Sequence, residues 1–283
     1  MLGGRHGDVM TTALVITAPG INCDLELAEG FALAGANPRP VHINELLENP
    51  EIIDEADLVG LPGGFSYGDS IAAGRIMANL MRKTLYPKFV DALRRGVPMI
   101  APCNGFQIAV QLGLLPGPTP GSNWNDTAPT PTVALAQNNS ARFIDKWVKF
   151  QVPSNTRCVW TKNLTATTET SLIPIAHGEG RFVPANDEVM HNIEESGRVA
   201  CRYGANDNPN GSVGDVMGIC DASGLVFGLM PHPERFLRWT QHPTWTRLSK
   251  EQMQGDTIGL QMFKNAVNYA TKNKTSNCVE QSA

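Results

Sequence analysis

Short apolar runs at residues 13–18 (Ala-Leu-Val-Ile-Thr-Ala), 57–61 and 97–101 each run into a proline followed by glycine or cysteine. Unbroken hydrophobicity of that length marks strands buried on both faces rather than on one. Helical patterns fall between them, at 22–34 with Gly35 closing it, at 45–48, and at 70–82 and 86–95, and a further strand is expected at 40–43. This βαβαβ alternation predicts an α/β fold with a central, mostly parallel sheet and helices on both faces. Sheets of this kind bind ligands at the carboxyl ends of their strands.

The second half reads differently. Residues 116–131 are rich in Pro, Gly, Thr and Asn and predict a long surface loop. Short strand-like runs follow at 142–152, 157–161, 172–176, 198–203 and 215–220, as expected of antiparallel additions. A last strand at 225–230 precedes a closing helix at 257–271. The expected organisation is a flexible leader over 1–11, one domain over 12–271 and a disordered tail over 272–283.

A chain of 283 residues can bury one large core. Its net charge of -4 and pI near 5.9 provide no basic surface of the kind nucleic acid requires, so no nucleic-acid partner is expected. No apolar stretch approaches the ~20 residues of a spanning helix, so no membrane partner is expected. The first residues lack the apolar core of a secretory signal, and the expected location is cytoplasmic. Six scattered cysteines without a Cys-x-x-Cys pair, and histidines without ligand spacing, predict neither a disulfide framework nor a metal site.

Chemistry concentrates where strands end. Cys103 stands at a strand-to-helix turn, Val-Pro-Met-Ile-Ala-Pro-Cys-Asn-Gly-Phe-Gln, a geometry that pushes a nucleophile out at the top of a sheet while the next helix aims its free amides at the same spot. A free cysteine is also commonly a small buried hydrophobe, so this segment alone leaves both readings open. His232 and Glu234 follow the strand at 225–230 and would emerge at the same edge, as base and orienting carboxylate. Residues two apart in an extended segment point to one side, and Pro231 and Pro233 stiffen it. A third strand end, Leu61-Pro62-Gly63-Gly64-Phe65-Ser66-Tyr67-Gly68-Asp69, offers backbone amides that, with the amide of Asn104, could form an oxyanion hole. Gln107, in the first helical turn beyond, could pair with a polar substrate group.

Those segments, together with Pro174-Ile175-Ala176-His177-Gly178-Glu179-Gly180, Asn208-Pro209-Asn210-Gly211-Ser212 and Met230-Pro231-His232-Pro233-Glu234-Arg235, resemble the class I glutamine amidotransferases over roughly residues 12–270. Within that class the chain is similar to the glutaminase subunits of phosphoribosylformylglycinamidine synthase. The resemblance implies a flavodoxin-like fold with Cys103, His232 and Glu234 catalytic, and Gly63, Gly64, Phe65, Asn104, Gln107 and His177 around glutamine. It also implies a large synthetase subunit as partner, a small bridging subunit, and no cofactor in this chain, with ATP and magnesium on the synthetase. Ala101-Pro102 departs from the glycine and β-branched pair usual before the nucleophile. Two alternatives stand beside this reading: a glutaminase subunit of another amidotransferase, and a cysteine-elbow protein of the stress-response or chaperone type.

Overall fold

A computed structural model describes residues 10–167 and 169–280. The first half supplies β1 (Thr12–Thr17), α1 (Asp24–Leu33), β2 (Asn37–His42), α2 (Ile43–Glu48), β3 (Leu58–Gly60), α3 (Arg75–Arg82), α4 (Leu85–Arg94), β4 (Met99–Pro102) and α5 (Asn104–Leu112). The second supplies β5 (Val133–Ala136), β6 (Ile144–Gln151), β7 (Leu172–His177), β8 (Arg181–Pro184), α6 (Asp187–Glu195), β9 (Val199–Tyr203), β10 (Val216–Cys220), β11 (Val226–Leu229) and α7 (Ile258–Glu280).

The main sheet runs β2-β1-β3-β4-β11-β10-β9-β6-β7, with β5 and β8 as a separate pair. From β2 to β11 every neighbour is parallel; from β11 to β7 every neighbour is antiparallel. The central strands bury both faces: in β1, Leu14 and Ile16 enter one core while Ala13 and Val15 enter the other. That double burial is why these strands read as unbroken apolar runs. β2 tolerates Pro38 and Pro40 because it is an edge strand.

Three expectations are corrected. Residues 157–161 form turns, because the amides of Arg157 and Val159 bond to the carbonyls of Gly197 and Gly224 while Trp160 plugs the core. The helix expected at 70–82 starts at Arg75, since Tyr67, Gly68, Asp69 and Gly74 all adopt positive φ. The tail expected to be disordered from 272 continues α7 as far as Glu280, and residues 281–283 lie outside the described residues, as do residues 1–9 of the expected leader. Asn273 holds the Arg95 carbonyl and Lys274 pairs with Asp57 at 2.7 Å, which ties that extension to the body.

The 116–131 loop is pinned at both ends by arginines. Arg198 donates to the carbonyls of Pro116 and Pro118, and Arg82 to those of Ala128 and Pro129. Residues 238–254 contain two short 3-10 turns; Trp239 and His242 fold back on the body, where Phe236 meets Trp147, Trp239 and His242 at ring separations of 5.1–5.8 Å, while Trp245 is exposed. Among the described residues no helix is long and apolar enough to cross a membrane.

Candidate active site

The turn after β4 is a strained elbow. Cys103 has φ 51° and ψ -110°, a backbone conformation that favours glycine and costs a side-chain-bearing residue on the order of 1–3 kcal/mol. Its amide donates to the Leu229 carbonyl at 2.7 Å, which holds the elbow against β11. Pro102 fits because the groups of residues 98 and 100 face β3, so the amide it lacks would also face that side, where the last bond between the two strands is from the Leu61 amide to the Ile100 carbonyl. Gly105 lets α5 close on the sheet: a Cβ there would lie 1.9 Å from the Leu61 carbonyl oxygen. Gly228 does the same beneath Phe106, where a Cβ would meet the ring at 2.2 Å.

His232 and Glu234 stand beyond β11, as their positions after a buried strand predict. The His232 amide donates to the Pro174 carbonyl at 2.9 Å, and a 3-10 turn at Pro233–Arg235, rather than simple extended alternation, brings Glu234 back to the imidazole. Nδ1 of His232 lies 2.6 Å from Oε1 of Glu234, with both side chains buried. This contact fixes Nδ1–H as donor and leaves Nε2 on the side of Cys103. Burial alone would lower the pKa of His232, but the charges of Glu234 and Cys103, with the Cys23 sulfur beside the ring, hold it well above the ordinary value.

The glycine segment forms the facing wall. Gly63 leaves room for the imidazole, since a Cβ there would lie 2.8 Å from His232 Cε1. Gly64 has φ 139°, beside the backbone of residues 20–22. The Phe65 amide is committed to the Gly20 carbonyl at 2.8 Å, so Phe65 enters the site through its ring. That ring stands 6.3 Å from Phe143, and both are exposed at the mouth. Among the described residues, none accepts from the amides of Gly64 or Asn104.

Asn104 and Gln107 are braces. Asn104 Oδ1 accepts the Ser66 amide at 3.1 Å, and its Nδ2 donates to Asp69 at 3.2 Å and to Gln107 Oε1 at 2.9 Å. Gln107 in turn donates to the Glu179 carbonyl at 2.5 Å. The side chain of Gln107 is thus engaged at both ends while it lines the cavity. Burial, with help from the Glu179 charge, raises the pKa of Asp69 against the hydrogen bonds from Gly74 and Asn104.

His177 ends β7, buried, with Nδ1 3.1 Å from Asn138 Oδ1. Burial, reinforced by the His232 charge, lowers its pKa to about 4, so it is neutral at physiological pH. Gly180 is required beside it, because a Cβ there would meet the ring at 2.3 Å. Asn138 also holds the carbonyls of Arg142 and His177, and Asn210 bonds the Gly180 carbonyl and the Tyr203 hydroxyl. Asn138, Phe143 and Cys23 carried no sequence signal that set them apart, being single residues outside any spacing pattern.

Two adjoining cavities, of about 210 and 130 Å³, meet over Cys103 and share Gly64, Phe65, Phe143 and Ala176. The structure therefore gathers Cys103, His232, Glu234, Gly63, Gly64, Phe65, Asn104, Gln107 and His177 around one cleft at the carboxyl edge of the sheet. Cys23, His232 and Glu234 also bring ligand-type atoms within 4.8 Å of one another. A cation there would have to displace the Glu234–His232 contact and the Arg235 N–H that sits 3.1 Å from the Cys23 sulfur.

A cysteine elbow facing a buried histidine–glutamate pair on a doubly wound sheet is the layout of a glutamine amidotransferase domain. The family profile of the CobB/CobQ-like glutamine amidotransferase domain matches residues 10–270. Phosphoribosylformylglycinamidine synthase subunit PurQ of Dehalococcoides mccartyi is 38% identical over 263 residues, covering 91% of this chain and 96% of the relative. The PurQ subunit of Methanococcus maripaludis is 35% identical over 282 residues, covering 93% and 99%. A chain in the structure of PurLQS from Thermotoga maritima superposes with a TM-score of 0.65 at 32% identity, covering 92% of this chain and 99% of that one. The chain belongs to the PurQ family of phosphoribosylformylglycinamidine synthase subunits.

Proposed function

We propose that Cys103 is the nucleophile of the glutaminase reaction expected of a PurQ subunit, with His232 as acid and base and Glu234 as its orienting partner. As the Cys103 sulfur attacks the side-chain amide carbon of glutamine, its proton passes to His232 Nε2 and the carbonyl oxygen takes up negative charge. The amides of Gly64 and Asn104 are the donors for that oxyanion; each such donor is typically worth ~3 kcal/mol in the transition state. His232 Nε2 passes its proton to the departing nitrogen, and ammonia leaves with a γ-glutamyl thioester on the sulfur. The same Nε2 then takes a proton from water as the water attacks the thioester and gives it to the departing sulfur, which releases glutamate and restores the thiol. Glu234 keeps Nδ1–H in place through both halves.

The ammonia passes to a synthetase subunit, which amidates formylglycinamide ribonucleotide to the amidine in purine biosynthesis. ATP and magnesium act on that partner, a small subunit bridges the two, and the assembly works in the cytoplasm. His177, neutral and adjoining the second cavity, lines the region that receives the amino-acid end of glutamine.

The buried 2.6 Å contact between His232 and Glu234, with Nε2 left facing a cysteine held at positive φ, carries this reading. Its test is to mix the chain with its cognate synthetase, glutamine, ATP and formylglycinamide ribonucleotide and follow amidine formation. Formation that requires this chain with glutamine, but not with ammonia, is the expected result. Amidine formation that is indifferent to this chain when glutamine is the nitrogen source would overturn it.

A further inference from the structure

Cys23 lies just before α1, buried, and lines the same cavity as Cys103. Its sulfur accepts an N–H of Arg235 at 3.1 Å and lies 3.3 Å from Asn22 Oδ1 and 3.9 Å from Nδ1 of His232. Gly63 sits against both groups: a Cβ there would lie 3.3 Å from the Cys23 sulfur and 2.8 Å from His232 Cε1. The edge of the imidazole away from Cys103 is therefore enclosed by Glu234, Gly63 and Cys23, whereas Nε2 is left toward the cavity.

We infer that Cys23 is a positioning residue for His232: its sulfur, held by Arg235, backs the Nδ1 edge and stops the ring from swinging away from Cys103. The inference rests on His232 being the acid-base group of the glutaminase reaction. Sulfur suits the position chemically. It is large and polarizable but a weak acceptor, so it fills the space between ring and guanidinium without taking the Nδ1 proton from Glu234. The distances agree with that division, 2.6 Å to the carboxylate against 3.9 Å to the thiol. Alanine at this position would leave a void beside the ring and unpair the Arg235 N–H. Misplacing a catalytic group by about 1 Å can cost on the order of 10²-fold in rate.

Besides Cys23, the groups facing His232 are Glu234, Cys103 and His177, and Arg235 reaches it through the sulfur. Glu26 lies 3.8 Å from Arg235 on the far side. Because the sulfur beside the ring is one of the groups that favour its protonated form, its removal favours the neutral imidazole.

The test uses the full chain with its cognate synthetase and compares wild type, Cys23→Ala and Cys23→Ser, with rates expressed per site labelled at Cys103 by a glutamine-analogue affinity reagent. The expected result for Cys23→Ala is a fall in kcat of about 10- to 100-fold. KM for glutamine stays within about twofold, the alkaline limb of the kcat profile moves to lower pH, and the ammonia-dependent rate is unchanged. Cys23→Ser, which keeps an acceptor for Arg235, recovers most of the loss. An alanine variant with wild-type kcat per labelled site and an unmoved alkaline limb would overturn the inference, as would a change confined to KM. A wild-type complex with no glutamine-dependent rate would overturn the assignment of the site itself, and the role of Cys23 with it.

Discussion

Nδ1 of His232 and Oε1 of Glu234 meet at 2.6 Å in a site from which both side chains are closed to solvent. A buried imidazole would ordinarily be neutral, and this carboxylate is what allows it to hold a proton. Replacing Glu234 with Gln keeps an oxygen for Nδ1–H but removes the charge. The expected outcome is a loss of kcat on the order of 10²–10⁴-fold, read by steady-state glutaminase assay in the synthetase complex, with the alkaline limb moved to lower pH. Because the folded-state pKa of His232 is raised, its pairing stabilises the fold fully below about pH 6.5 and progressively less as pH rises through the raised value. Thermal melts of wild type minus Glu234→Gln across that range should show the difference shrinking with increasing pH.

His177 runs the opposite way. Its pKa is lowered to about 4 by burial, so below about pH 6.5 the unfolded chain takes up a proton that the folded chain refuses. Stability from this residue is complete above pH 6.5 and is lost as pH falls toward 4, by on the order of 3 kcal/mol in all. Urea titrations between pH 4 and 7 should show a steeper acid decline for wild type than for His177→Gln.

Gly105 tests the elbow rather than the chemistry. A Cβ at this position would fall 1.9 Å from a backbone oxygen of Leu61, which cannot rotate away. Gly105→Ala should therefore cost at least about 1–3 kcal/mol in urea denaturation and displace Cys103 with it. Unchanged stability and activity in this variant would mean that α5 does not sit as closely on the sheet as described.

In the parallel half, β1, β3 and β4 were legible because each is buried on both faces and runs into proline followed by glycine or cysteine, whereas the exposed edge strand β2 carries no such run. α6 was not legible. Its outer face is polar, and only Met190 and Ile193 are fully buried, too few to set a helical period by themselves. Residues 157–161 misled for the converse reason, since buried Cys158 and Trp160 alternate like a strand while the backbone between them bonds to loops. In the site, the cysteine, the histidine–glutamate pair and the glycines could be placed at one edge because each follows a strand. The contact of Cys23 with His232 joins residues 209 apart, and no local pattern encodes it. The pairing of Asn104 with Gln107 is likewise a contact that no local pattern announces.

The most direct measurement is Cys103→Ala in the reconstituted synthetase complex, with glutamine and ammonia compared as nitrogen sources at equal protein concentration. Amidine formation from glutamine should vanish, formation from ammonia should match wild type, and binding of the variant to the synthetase should be unchanged. Glutamine-dependent amidation at the wild-type rate would contradict the account.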